Sequence, residues 1–146
     1  MARAVLILAL ATLAACSNLH EVDPGAYYRC GQLDADGFRQ VIRDHGIRTV
    51  VRLRGGAVGE PEYDAAHTPA EEAGAAFVHI QMSALSLPSR ETLLRIWETF
   101  DTAERPLLVH CKAGADRTGL ASAIYVLHET GDLRKAREQL HVLPYL

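Results

Sequence analysis

The apolar positions fall into two kinds of pattern, short near-continuous runs and longer stretches of helical spacing. Residues 107–110, 49–53 and 77–80 are apolar or β-branched almost throughout, as expected of strands buried on both faces. Residues 27–30 carry the aromatic weight of a further strand. Helical spacing follows Asp34 in Phe38, Val41 and Ile42, and follows Ser89 in Leu93, Leu94, Ile96, Trp97 and Phe100, all five expected on a buried face. It returns in Leu120, Ala121, Ile124, Tyr125 and Leu127. Ser89 and Asp132 read as N-caps, and His45-Gly46 and Gly131 as helix stops. The alanine- and glutamate-rich segment 61–74 predicts a helix with a break at Thr68-Pro69. A last short helix is expected from Asp132 to near Pro144. Alternating strands and helices predict an α/β fold, a central, mostly parallel sheet of about four to five strands flanked by helices.

Composition narrows the function. A chain of 146 residues, 49% hydrophobic and 23% charged, supports one folded domain with a modest core. A formal charge of −3 lacks the basic footprint of a nucleic-acid binder, so that class of partner is set aside. The aromatic stripe at 97–100 reads as core rather than as a haem or nucleotide site, and neither a cofactor nor a metal is expected.

The first residues read as a targeting segment: Arg3, then an apolar run from Ala4 to Ala15 that is short for a membrane span. It ends in Leu13-Ala14-Ala15-Cys16, which resembles the lipobox of bacterial lipoproteins. That resemblance implies a signal peptide over 1–15, lipid on Cys16, a polar tether over 16–26 and a domain over 27–146. The domain would then face the periplasm in a bacterial cell envelope, with a membrane as partner. Ser17 after the cysteine is similar to the pattern directed to the outer membrane. A plain secretory signal or a short membrane anchor are the other readings of the same residues.

The chemistry concentrates after the 107–110 strand, where a short glycine-containing loop opens a helix at Thr118. Cys111 stands at the loop's first position and Arg117 at its last, and the N–H groups between them can converge on one tetrahedral oxyanion. A cysteine beside a helix N-terminus and an arginine is expected to be a thiolate near neutral pH.

The sequence HCKAGADRTG resembles the loop of the cysteine-dependent protein tyrosine and dual-specificity phosphatases, HCxxGxxR followed by Ser or Thr. YYRCGQL is similar to the YRSGQ-type opening of the bacterial dual-specificity-like branch, with Cys30 where that family usually carries serine. The resemblance implies a dual-specificity-phosphatase-like fold and a monomeric phosphomonoester hydrolase acting on a phosphorylated protein or small phosphoester. Cys111 would form a cysteinyl-phosphate, Arg117 would hold the phosphoryl oxygens, and Thr118 would donate its hydroxyl to the sulfur. Lys112, Ala113, Gly114, Ala115, Asp116 and Arg117 would bind phosphate, and His110 would support the loop by hydrogen bonding within the core. Rhodanese-type sulfurtransferases carry a similar loop one residue shorter, which disfavours that activity.

Many members of the family place a general-acid aspartate in the loop corresponding to 81–88, and here that loop holds no carboxylate. Asp116 is the replacement candidate, because CxAGxDRTG loops resemble those of bacterial phosphatases whose loop aspartate serves as acid. The bland alternative is a salt bridge from Asp116 to a surface arginine, and Ser83 or Ser86 positioning water is a third. A pseudophosphatase or phosphate-binding lipoprotein is the functional alternative. Lys112 is similar to the lysine of CKxG phosphoinositide phosphatases, and is equally ordinary as an outward lysine. Arg52 and Arg54 either lean toward substrate or are solvated. Cys30 is either a disulfide partner for Cys111 in an oxidising compartment or a small half-buried residue at a strand end.

Overall fold

The computed structural model describes residues 18–145. The lipobox, Cys16 and the signal segment lie outside the described residues. Four strands are parallel: β2 (Tyr27–Cys30), β3 (Thr49–Arg52), β4 (Ala76–His79) and β5 (Leu107–His110). An edge strand, β1 (His20–Asp23), pairs antiparallel with β2, giving a five-stranded sheet in the order β1-β2-β5-β3-β4. The predicted architecture is therefore present.

Alternating side chains along the strands feed two cores. On one face Tyr27, Val51, Leu107 and Val109 meet α3 (Arg90–Thr102) and α4 (Asp116–Thr130) through Ile96, Phe100, Ala121 and Tyr125. On the other, Tyr28, Cys30, Val50 and Leu108 meet α1 (Ala35–His45) and α2 (Pro61–Glu72) through Phe38, Val41, Ile42, Ala66 and Ala70. The caps act as expected: Ser89 Oγ accepts from the Thr92 N–H, and Asp132 accepts from the N–H groups of Arg134 and Lys135. Each satisfies donors that a helix start otherwise leaves orphaned.

Four expectations change. Residues 20–23, assigned to the tether, form β1; HEVD carries one aliphatic residue, and an edge strand with one solvated face leaves no apolar run to read. The helix over 61–74 is not broken at Pro69, which lies buried inside α2 near its C-terminal end, where burial offsets one lost hydrogen bond. Of the five apolar positions on α3 only Ile96 and Phe100 are buried, while Leu93, Leu94 and Trp97 are 37–43% exposed at the margins of the stripe. The expected last helix is divided, with α5 (Leu133–Glu138) followed by a separate turn, α6 (Val142–Tyr145), whose Tyr145 carbonyl shares the Asn18 amide with the Ala113 carbonyl.

Candidate active site

The carboxyl ends of β3, β4 and β5 share one edge of the sheet, where ligands bind in open α/β folds. β5 runs straight into the 111–115 loop and α4 begins at Asp116, two residues before the expected start, so Asp116 and Arg117 lie in its first turn. Ala115, at the N-cap, offers no side-chain cap, which leaves the first N–H groups of α4 free for an anion. Gly114 has φ +75 and packs so close to β2 that a Cβ would lie 2.6 Å from the carbonyl carbon of Cys30. Only glycine satisfies both the left-handed conformation and that approach.

The loop closes around its own sulfur. Cys111 is 2% exposed, and its Sγ accepts from the Gly114 N–H at 3.3 Å. Arg117 is half-buried, its Nη1 donating to the Met82 carbonyl at 3.4 Å, and its Nε is buried without a partner. Thr118 is fully buried and its hydroxyl is likewise unpartnered, so the expected bond to the Cys111 sulfur is not made; the sulfur takes the Gly114 N–H instead. Buried donors without partners are costly unless something accepts from them. Lys112 and Asp116 are exposed, and Asp116 forms no salt bridge among the described residues. Ser83 spends its Oγ accepting from the Leu85 N–H.

His110 is fully buried, and burial, reinforced by Arg52, pushes its pKa down to about 3, so the ring is neutral. Neither ring nitrogen has a partner among the described residues, so support comes by packing rather than the expected hydrogen bonding: the ring sits edge-on to Phe38 at 4.8 Å between centroids. Arg52 and Arg54 do not lean toward the loop. Arg52 is buried and donates to the Gly55 carbonyl at 2.7 Å and to Gln32 Oε1 at 3.1 Å, and Arg54 pairs with Glu62. Cys30 and Cys111 are both free thiols and belong to the two opposite cores, so the sheet separates them and no disulfide joins them. Burial, then the neighbouring Cys111, pushes the Cys30 thiol far up, which suits the packing role.

The residue that sequence reading missed is Arg29. It lies on β2, fully buried, with Nη2 donating to the carbonyls of Gly114 at 2.8 Å and Ala115 at 3.2 Å. Its Nη1 donates to the backbone and side-chain oxygens of Gln139, and its guanidinium stacks on Tyr145 at 3.7 Å. By binding these two carbonyls, Arg29 fixes the orientation of the peptide groups where the loop meets α4. The one signal in the sequence was a charged residue inside an otherwise buried strand. Charge-assisted bonds of this kind contribute about 1.5–3 kcal/mol each. Arg29→Met is therefore expected to weaken both tungstate and vanadate binding by about 10–100-fold. Loss of thermal stability alone, with both of those unchanged, would reduce Arg29 to a packing residue.

A family model described as DSP-PTPase phosphatase fused to NAD+ kinase matches residues 12–142. The chain is 31% identical over 98 residues, 66% of its length, to tyrosine-protein phosphatase cdc-14 of Caenorhabditis elegans, and spans 13% of the length of that curated relative. TpbA of P. aeruginosa shares the fold with a TM-score of 0.67 at 23% identity, over 90% of this chain and 83% of that one. The core catalytic domain of the PP-IP phosphatase SIW14 of S. cerevisiae has a TM-score of 0.65 at 21% identity, over 88% and 78% of the two chains.

Proposed function

The chain belongs to the DSP-PTPase phosphatase family, and from that premise we propose that it hydrolyses phosphomonoesters through a cysteinyl-phosphate at Cys111. The observation that carries the proposal is a buried cysteine sulfur that accepts from a loop N–H, followed directly by the uncapped start of α4, with the Nε of Arg117 and the hydroxyl of Thr118 in its first turn unpartnered. A tetrahedral dianion supplies acceptors for the free N–H groups at the helix start and for the Arg117 guanidinium. The Cys111 thiolate attacks phosphorus, the S–P bond forms and the P–O bond to the leaving group breaks. Arg117 holds the equatorial oxygens, where charge accumulates. Asp116 protonates the leaving oxygen, and water then attacks phosphorus and breaks the S–P bond, its protons leaving with the phosphate as the thiolate is restored. A crystal structure of TpbA with pTyr supports phosphotyrosine as a first substrate to try.

Asp116→Asn tests the acid. With alkyl phosphates, whose leaving groups need a proton, the variant is expected to lose about 10²-fold or more in kcat. With p-nitrophenyl phosphate, whose leaving group departs as an anion, the loss is expected to be a few-fold at most. An equal loss on both substrates would assign Asp116 to loop architecture and leave the reaction without an acid.

We further propose that Cys16 carries lipid and anchors the mature chain to a membrane on the periplasmic side of a bacterial envelope. The support is the apolar run ending in Leu13-Ala14-Ala15-Cys16. The mass of the mature N-terminal peptide checks it: a diacylglyceryl-modified Cys16 is expected, and an unmodified Cys16 would contradict it.

A further inference from the structure

The described chain enters the fold at the catalytic edge. Asn18, its first residue, donates from Nδ2 to the carbonyl of Ala113, inside the phosphate loop, at 3.1 Å, and to the carbonyl of Tyr145 at 2.7 Å. Since β1 starts at His20, the tether is far shorter than the sequence suggested. Cys16 and Asn18 are two residues apart, a reach of at most about 7 Å. That is no longer than the headgroup layer, about 5–8 Å deep on each side of a bilayer. An anchor at Cys16 therefore cannot hold this edge away from the lipid surface.

Beside exposed charges at Glu60, Lys112 and Asp116, the edge carries a concentration of exposed apolar side chains. The five most exposed large apolar side chains among the described residues are Leu85 at 98%, Leu87 at 93%, Leu143 at 77%, Val58 at 74% and Val142 at 63%. Val58 lies in the loop after β3, Leu85 and Leu87 in the loop after β4, and Val142 and Leu143 in the terminal turn, where Tyr145 meets Arg29 and Asn18. All of these segments surround the phosphate loop. The loop over 80–89, which lacks the family's acid, has no ionisable residue at all, and Arg117 ties it to the catalytic loop through the Met82 carbonyl. Exposed leucines scattered singly are ordinary, but a concentration of the most exposed ones on one edge marks a contact surface.

We propose that this edge docks on a lipid bilayer, which covers Leu85, Leu87, Val58, Val142 and Leu143, so that the catalytic loop opens toward the membrane surface. The inference takes its short reach from the anchoring proposed for Cys16 and needs no turnover. The loop without an acid is then an apolar insertion loop, and phosphoesters reach Cys111 from the interface.

The experiment uses the full chain bound to phosphatidylcholine vesicles containing brominated lipid. Leu87→Trp is expected to be strongly quenched, and Leu133→Trp, at the start of α5 just past the far end of α4 and 54% exposed in the native protein, unquenched above the common Trp97 background. Leu85→Ser/Leu87→Ser in the Cys16→Ser chain is expected to lower vesicle partitioning by about tenfold or more relative to Cys16→Ser alone. Turnover of p-nitrophenyl phosphate in solution should be unchanged, which separates this surface from the chemistry. Equal quenching at positions 87 and 133 on vesicle-bound protein would overturn the orientation. Concentration-dependent dimerisation in vesicle-free buffer that the two serine substitutions abolish would assign the patch to a second copy of the chain instead.

Discussion

Cys111→Ser is expected to turn over p-nitrophenyl phosphate at least about 10⁴-fold more slowly than the native chain while still binding inorganic phosphate. The serine hydroxyl occupies the same buried position, 2% exposed beside the Gly114 N–H, but stays protonated where a thiol ionises. The cradle does not depend on the sulfur: Arg29 still holds the Gly114 and Ala115 carbonyls, and Arg117 keeps its donors. Binding and turnover should therefore separate. Kinetics measured under reducing conditions beside phosphate binding by calorimetry check this. Equal turnover in both proteins would remove Cys111 from the reaction, and loss of phosphate binding with turnover would mean that the sulfur organises the loop.

Arg117→Lys carries the second largest expected effect, a loss of about 10³-fold in kcat with a much smaller change in KM. Lysine preserves the charge but not the planar pair of donors that meets two equatorial oxygens as charge moves onto them in the transition state. Removal of a comparable arginine contact in phosphoryl transfer costs about 10³–10⁵-fold. Arg117 is already positioned for the task, half-buried, steadied by the Met82 carbonyl and with Nε unpartnered. A loss confined to KM would make Arg117 a ground-state binder only.

How far the site was legible depended on whether a residue's role is local in sequence. The strand over 107–110, the glycine and the arginine stand in one contiguous stretch, so spacing alone placed the sulfur, the cradle and the helix start within one loop. The parallel sheet was legible because its central strands are buried on both faces and read as continuous apolar runs. Residues that act across the sheet were hidden. Arg29 contacts Gly114 and Gln139, 85 and 110 positions away, and nothing in YYRC says which face its third residue takes. The separation of Cys30 from Cys111 follows from register, since Cys30 lies opposite His110 and the next residue turns to the other face. Edge strand β1 and the reach of Asn18 were concealed for the same reason: a polar edge strand is defined by the neighbour it pairs with. The exposed margin of α3 shows the limit of helical spacing, which locates a stripe but not its width.

Trapping the covalent intermediate distinguishes attack by Cys111 from every other route to product. The full chain, reduced and mixed with p-nitrophenyl phosphate, is quenched in acid within a few turnovers, and the peptide containing Cys111 is analysed by mass spectrometry. One added phosphoryl group is expected on Cys111, accumulating with substrate, decaying when substrate is exhausted and absent from Cys111→Ser. Product release with no phosphoryl group on Cys111, or with the group on another residue, would contradict it.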